Sequence, residues 1–244
     1  MLRTLWVVLV AFFVTVPLAT MVLILGAVRS TSPWIDRIIR LWARSITRAA
    51  GIDLQTENID RLDPAQRYIL VANHYSYFDI PCIFAALPRH SIRFMAKISL
   101  FKIPIFGWSL SRAGFIPIDR KNRRTAVKSF DLAAQRIRKG NTIVIFPEEG
   151  RSKFQWMRTF QRGAFLLGIK SEQPMMPIAV DGTYDILRVG AKRITPGKVT
   201  VRVGTVIPTA NCTLRDKDRL ATEAKEQITK MLWPDGNVPQ PPAE

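Results

Sequence analysis

Histidine and cysteine are nearly missing from this chain, with two of each in 244 residues. Cys82 and Cys212 stand far apart without metal-ligand spacing, which argues against a disulfide framework or a zinc site and fits a reducing compartment. Acidic side chains are scarce too, 19 against 36 Lys and Arg, leaving a net charge of +17. That balance predicts an anionic partner: nucleic acid, an anionic membrane surface or phosphorylated small molecules. The basic stretches Arg37–Arg48 and Arg120–Arg124 lack a recognisable nucleic-acid module, so nucleic acid is not an expected partner. Internal repeats and low-complexity linkers are also absent. An apolar fraction of 48% excludes disorder as the main state and suffices for one large domain or two small ones.

What the chain does have, at its start, is a long apolar run. Leu5 to Val28 contains 24 residues and no charge, and as a helix it would extend roughly 36 Å, enough to cross about 30 Å of hydrocarbon. A cleaved signal peptide is the competing reading, but its apolar region is normally about 7–15 residues long, and no good small-residue cleavage site is evident. Arg3 alone precedes the run, whereas Arg29, Arg37, Arg40, Arg44 and Arg48 follow it. The positive-inside rule then places everything after Val28 in the cytoplasm. Pro17 leaves room for a kinked or re-entrant helix that enters one leaflet. Between Ser32 and Gly51 the pattern becomes two-faced, with Ile35, Ile38, Trp42, Ile46 and Ala49 opposite the arginine stripe. This predicts an amphipathic helix, suited either to an anionic bilayer interface or to packing on a domain with a solvated basic face.

After residue 50 short β-type runs alternate with helical patterns, the order of an α/β layer structure. Strands are expected at Ile52–Glu57, Tyr68–Ala72, Arg93–Ala96, Phe115–Ile118, Thr142–Phe146, Pro177–Val180 and Lys198–Val206. Helices are expected at Ile80–Leu87, Pro104–Arg112, Arg123–Lys139, Phe160–Ile169 and Leu214–Trp233. The organisation is therefore membrane-anchoring helices over 1–50, one catalytic domain over 51–233, and a flexible proline-rich tail over 234–244.

Asn73-His74-Tyr75-Ser76-Tyr77-Phe78-Asp79 is the chemically distinctive stretch. A histidine can accept a proton near neutral pH, and a nearby carboxylate can hold its useful tautomer. The pair cannot share a helical face, because five residues rotate by about 140°. His74 must then precede a helix that begins near Asp79, with Pro81 in its tolerated first turn. Ser76-x-x-Asp79 reads equally as a capping box, which needs no catalysis.

Here the chain resembles a known family, the glycerolipid acyltransferases typified by 1-acylglycerol-3-phosphate acyltransferases. Its first block, Asn-His-x4-Asp, is matched by Asn73 to Asp79; the second, by Gly114-Phe115-Ile116-Pro117-Ile118-Asp119-Arg120. The third, usually Phe-Pro-Glu-Gly-Thr-Arg-Ser, is Phe146-Pro147-Glu148-Glu149-Gly150-Arg151-Ser152, and the fourth fits Met176-Pro177-Ile178. The resemblance implies a mixed, largely parallel sheet flanked by helices, as in glycerol-3-phosphate acyltransferases. It also implies transfer of an acyl group from acyl-CoA or acyl-ACP (acyl carrier protein), both donors rather than cofactors, to a lysophospholipid, giving phosphatidate. His74 would be the general base and Asp79 its orienter, with no cofactor or metal. Asn73, Gly114, Arg120, Glu148, Arg151, Ser152 and Pro177 would contact substrates, the last on the donor side. The setting would be a bacterial-type inner membrane, with the catalytic domain on the cytoplasmic side.

An already activated thioester needs no covalent nucleophile, and none is signalled: Gly107-Trp108-Ser109-Leu110-Ser111 lacks the final glycine of a nucleophile elbow. Arginine forks at 120 and 151 suit phosphate, although Asp119–Arg120 and Glu148–Arg151 also read as local ion pairs. Gln161-Arg162 stands where the family often has a basic pair, another candidate anion contact. Glu149-Gly150 departs from the usual Gly-Thr and is expected to bear on the acceptor's identity. A related enzyme using another lysolipid or lyso-aminolipid, and a non-catalytic lipid-binding protein, remain the rivals.

Overall fold

The computed structural model describes residues 1–28, 32–119 and 123–239, without side-chain placement for 123–127. In chain order the elements are α1 (Leu2–Val28), α2 (Pro33–Ala50), β1 (Ile52–Glu57), β2 (Ile69–Ala72), α3 (Asp79–Ala86), β3 (Ile92–Lys97), α4 (Phe106–Ala113) and β4 (Ile116–Ile118). They continue with α5 (Arg123–Arg138), β5 (Thr142–Ile145), α6 (Leu166–Ser171), β6 (Met175–Asp181), α7 (Thr183–Ile186), β7 (Gly197–Val203) and α8 (Lys217–Leu232).

Among the described residues, seven strands form one sheet in the order β1-β7-β6-β2-β5-β3-β4. Every neighbouring pair is parallel except β6 with β7, so the sheet is mixed and largely parallel. β2 is its axis. All four of its residues are buried, as a parallel strand covered on both faces requires. Alternation along β2 splits the interior: Leu70 and Ala72 join a core with α2 and α3 residues such as Ile35, Ile46 and Ile83. Ile69 and Val71 face a second core with Phe130 and Ile137 of α5 and Leu220 and Ile228 of α8.

α2 begins where its sequence says it should. The Ser32 hydroxyl accepts from Trp34 N, Pro33 occupies the first turn, and Gly51 at φ 71° closes the helix in the left-handed region. Val7 and Val22 of α1 are buried in the same core as α2 and the sheet. α1 is also tied polar end to polar end: Arg3 donates to Ala50 O at 3.2 Å, Ile194 N donates to Thr4 Oγ1 at 3.0 Å, and Trp42 Nε1 donates to Thr15 Oγ1 at 2.9 Å. Length and composition qualify it to cross a membrane.

Candidate active site

Ligands of open α/β sheets gather outside the carboxyl ends of the strands. Here β2 ends at Asn73 and His74, β5 at Phe146 to Glu148, and β6 at Asp181 to Thr183. His74 lies in the loop before α3 and Asp79 is the helix's first residue, the arrangement their spacing requires. Their side chains meet, His74 Nδ1 to Asp79 Oδ2 at 2.7 Å. Asp79 is fully buried, whereas the imidazole keeps 12% exposure. The ring stacks on Phe146, centroids 4.0 Å apart.

The same carboxylate does the capping. Oδ2 also accepts from Tyr75 N at 2.8 Å and Ser76 N at 2.9 Å, and Oδ1 accepts from the Thr183 hydroxyl. A carboxylate facing backbone N–H groups serves as an acceptor. Nδ1 of His74 is therefore the donor, and Nε2 is left with a free lone pair. The capping box is only half formed, because the Ser76 hydroxyl, which donates to Leu187 O, accepts from Phe78 N at 3.3 Å rather than from Asp79 N.

The residues assigned to substrate contact divide differently. Asn73 is fully buried, and its amide exchanges two bonds with the Val180 backbone, at 2.9 and 2.8 Å. It extends the β2–β6 ladder by one side chain rather than facing a substrate. Glu148 is buried with Oε1 on His74 N at 2.7 Å and Oε2 on Arg158 N at 2.8 Å. Burial pushes its carboxyl up to about 7, opposed by those two N–H bonds. Ser152 N donates to His74 O at 2.9 Å, and its hydroxyl accepts from Phe154 N. Together Asn73, Glu148 and Ser152 clamp the backbone on both sides of the imidazole. Gly114 is the left-handed cap of α4 at φ 90°, a position that favours glycine for backbone reasons alone. Pro177 sits within β6, opposite Val71, and is buried in the sheet. These placements give Asn73, Gly114, Glu148, Ser152 and Pro177 structural roles around His74 and in the sheet, beside the substrate contacts that the family pattern implies.

Arg151 holds its guanidinium 3.5 Å from the Tyr77 ring centroid. Tyr77 in turn helps to line an apolar cavity of about 300 Å³ enclosed by α1, α2, α3, α4 and β3, with Leu18, Trp42, Phe84 and Leu110 among its walls. Arg162 is exposed and pairs with Asp218 of α8 at 3.2 Å, so that sequence candidate is a surface ion pair. Arg120 and its neighbours through 122 lie outside the described residues. Cys82 is fully buried, and burial with the adjacent Asp79 raises its thiol, leaving it unsuited to nucleophilic work. Among the described residues no cluster of three metal-ligating side chains occurs.

Sequence reasoning missed Thr183, the third wall of the Asp79 carboxylate. Its signal was position alone, two residues past the end of β6. Tyr77 was passed over as one of four variable residues between His74 and Asp79.

Comparison with known proteins agrees with this layout. The family model described as Acyltransferase matches residues 53–181, from β1 to the end of β6. The chain is 31% identical over 173 residues to a 1-acyl-sn-glycerol-3-phosphate acyltransferase of Chlamydomonas reinhardtii, covering 70% of this chain and 50% of that protein. It is 30% identical over 212 residues to the human 1-acyl-sn-glycerol-3-phosphate acyltransferase alpha, covering 86% of this chain and 75% of the relative. The chain thus spans about half the length of the algal and plant relatives. Its fold matches the crystal structure of the 1-acyl-sn-glycerophosphate (LPA) acyltransferase PlsC from Thermotoga maritima, with a TM-score of 0.81 at 22% identity over 98% of this chain and 97% of that one. With the family pattern and the fold in agreement across the strand ends that carry His74, Asp79 and Glu148, the chain belongs to the Acyltransferase family.

Proposed function

We propose that this chain transfers a fatty acyl group from acyl-CoA or acyl-ACP to the free sn-2 hydroxyl of 1-acylglycerol 3-phosphate, forming phosphatidate. The observation that carries the reading is the 2.7 Å bond from His74 Nδ1 to the fully buried Asp79 carboxylate. It leaves Nε2 as the proton acceptor. Nε2 takes the acceptor's hydroxyl proton as that oxygen forms a bond to the thioester carbonyl carbon. The carbon–sulfur bond then breaks, and the imidazolium returns the proton to the departing thiolate. A positioned general base of this kind contributes about 10²–10⁴ in rate. No cofactor enters these steps.

The relatives' names, the net charge of +17 and Arg151 favour a phosphate-bearing acceptor. Arg120 keeps the role its motif implies, as part of the same proposal. The apolar cavity beside Tyr77 suits an acyl chain. α1 supports membrane association, lying along the domain rather than projecting from it, since residues 3, 4 and 15 are all bonded to α2 or the 187–197 segment. That geometry favours insertion into one leaflet, on the cytoplasmic side of a bacterial-type inner membrane as the arginine bias suggests.

Glu149 favours a second reading within the class, because its exposed carboxylate beside Arg151 is what an aminolipid acceptor would meet. The test is turnover of a panel of lysolipid acceptors by purified protein with both donor types. Phosphatidate formation is expected, and His74→Ala is expected to slow it by about 10²–10⁴. Full transfer by His74→Ala would eliminate the mechanism.

A further inference from the structure

Two arginines flank the 148–151 turn, and the family pattern accounts for only one of them. Arg151 belongs to the third block; Arg158 does not. A Cβ built on Gly150 would lie 2.9 Å from Arg158 Nη1. The guanidinium thus occupies the space that the threonine of the family pattern would claim.

Arg158 is also held in register with the base. Its backbone N–H and that of His74 are bonded to the two oxygens of one buried carboxylate, Glu148, at 2.8 and 2.7 Å. Any shift of Arg158's backbone relative to His74 must break one of these bonds. Its guanidinium makes no ion pair among the described residues, although its charge favours the ionised Glu148 carboxyl. Among the described residues Arg151 and Arg158 are in no ion pair, as is true of most arginines of this chain; what sets these two apart is their place in the segment bonded to the His74 backbone. Glu149, the nearest exposed carboxylate in sequence, stands between them at φ 55° and pairs with neither. Two cations free of ion pairs, on a segment whose backbone is tied to that of His74, suit recognition of a doubly charged phosphate, because each planar fork can take two oxygens.

We propose that Arg158 is a second phosphate-binding residue of this acyl-transfer site, admitted by Gly150 and acting with Arg151. The inference rests on the function proposed above. It deepens that reading by assigning the departure at 149–150 to phosphate recognition. The shared chemistry is a phosphate monoester, borne either by the lysolipid headgroup or by the 3′-phosphate of coenzyme A.

The experiment uses the full chain in detergent micelles. Acceptors are 1-acylglycerol 3-phosphate and the phosphate-free 1-acylglycerol; donors are acyl-CoA and the acyl-pantetheine thioester, which lacks the nucleotide. Arg158→Gln is expected to raise KM for the phosphate acceptor about tenfold or more, the size of a lost charge-assisted bond, with little change in kcat. Arg158→Lys should recover part of the loss. Gly150→Thr should shift KM in the same direction by displacing the guanidinium. Arg219→Gln, on α8, controls for loss of one positive charge. A rise in KM confined to acyl-CoA, and absent with acyl-pantetheine, would assign the phosphate to the donor. Unchanged KM values for every substrate in Arg158→Gln would overturn the proposal. Calorimetric binding of glycerol 3-phosphate to wild type and Arg158→Gln decides the point independently of turnover. An inactive wild type that binds it through Arg158 sinks the function and keeps the site; equal binding by both proteins, with turnover intact, sinks the site alone.

Discussion

At the residue scale, the Asp79 carboxylate joins two tasks that sequence logic sets against each other, capping α3 and orienting His74. It serves Tyr75 N, Ser76 N, the Thr183 hydroxyl and the imidazole at once, so its loss must cost stability as well as rate. Asp79→Ala leaves buried donors without partners, at about 1–3 kcal/mol each. His74→Ala removes a side chain that is 12% exposed and bonded only to that carboxylate. Both variants are therefore expected to lose about 10²–10⁴ in kcat, but only Asp79→Ala should lower the thermal midpoint by many degrees. Equal midpoints would refute the shared role. Glu148 yields a pH prediction. Its carboxyl is raised from 4.5 to about 7 in the folded chain, so the folded state binds more protons between those values and loses stability as pH rises through them, levelling above. Urea melts should show the stability difference between wild type and Glu148→Gln shrinking by about 3 kcal/mol from pH 4.5 to 7; a pH-independent difference would contradict it. The pairing of His74 with Asp79 was legible in the sequence because it is carried by residue type and spacing. The clamping roles of Asn73, Glu148 and Ser152 were not, because a motif records that a side chain is required without recording whether it faces substrate or backbone.

Elements were legible wherever periodicity or caps were strong. α2 runs between Ser32 and Gly51 as its caps require, and α5 ends at Arg138, just before the predicted stop at Gly140. Boundaries slipped where a cue was lacking. β6 starts at Met175 rather than Pro177, because Met175 and Met176 carry no alternation and a proline suits the first position of a strand. The helix expected over Phe160–Ile169 resolves into a 3-10 turn at Arg162–Phe165 followed by α6. Long-range polar ties had no sequence signal at all. Arg93 of β3 is 2% exposed, pairs with Asp36 of α2 at 2.7 Å, and donates to the carbonyls of Ala113 and Ile92. This one side chain fastens α2 and the end of α4 to the sheet. Asp36→Ala strands a buried guanidinium and is expected to cost roughly 3–5 kcal/mol in urea unfolding. Glu57→Gln, which loosens the more exposed pair with Arg202, should cost under about 1 kcal/mol. Similar costs for the two would mean that Arg93 is solvated in practice and that α2 is held by its apolar face alone.

For the whole molecule, the proposed function raises the question of how a basic domain would meet a bilayer. α1 leaves Leu5, Trp6, Leu9, Phe12 and Phe13 exposed, and α2 adds Trp34 and Leu41; apolar area on this scale marks an interaction surface. A helix of 27 residues measures roughly 40 Å and could span a bilayer on length alone. Its contacts say otherwise. Thr4 near its start takes the Ile194 N–H, and Gly26 near its end lies so close to α4 that an added Cβ would sit 2.8 Å from Arg112 Cβ. A helix bonded to one domain at both ends cannot put those ends in different compartments unless the domain itself crosses. The amphipathic α2 packs beside it, and its Arg37 guanidinium lies over Trp34 at 4.4 Å, a pairing suited to headgroup depth. Labelling from one side of sealed vesicles tests this directly. In a Cys212→Ser background, where the remaining Cys82 is buried, single cysteines are placed at Leu2 and at Asn237. Both are expected to react with a membrane-impermeant maleimide in vesicles that expose the catalytic domain, and neither in vesicles of the opposite orientation. Reaction of Leu2→Cys only in the opposite orientation would establish a spanning α1 and would require the Thr4 and Gly26 contacts to open in the membrane.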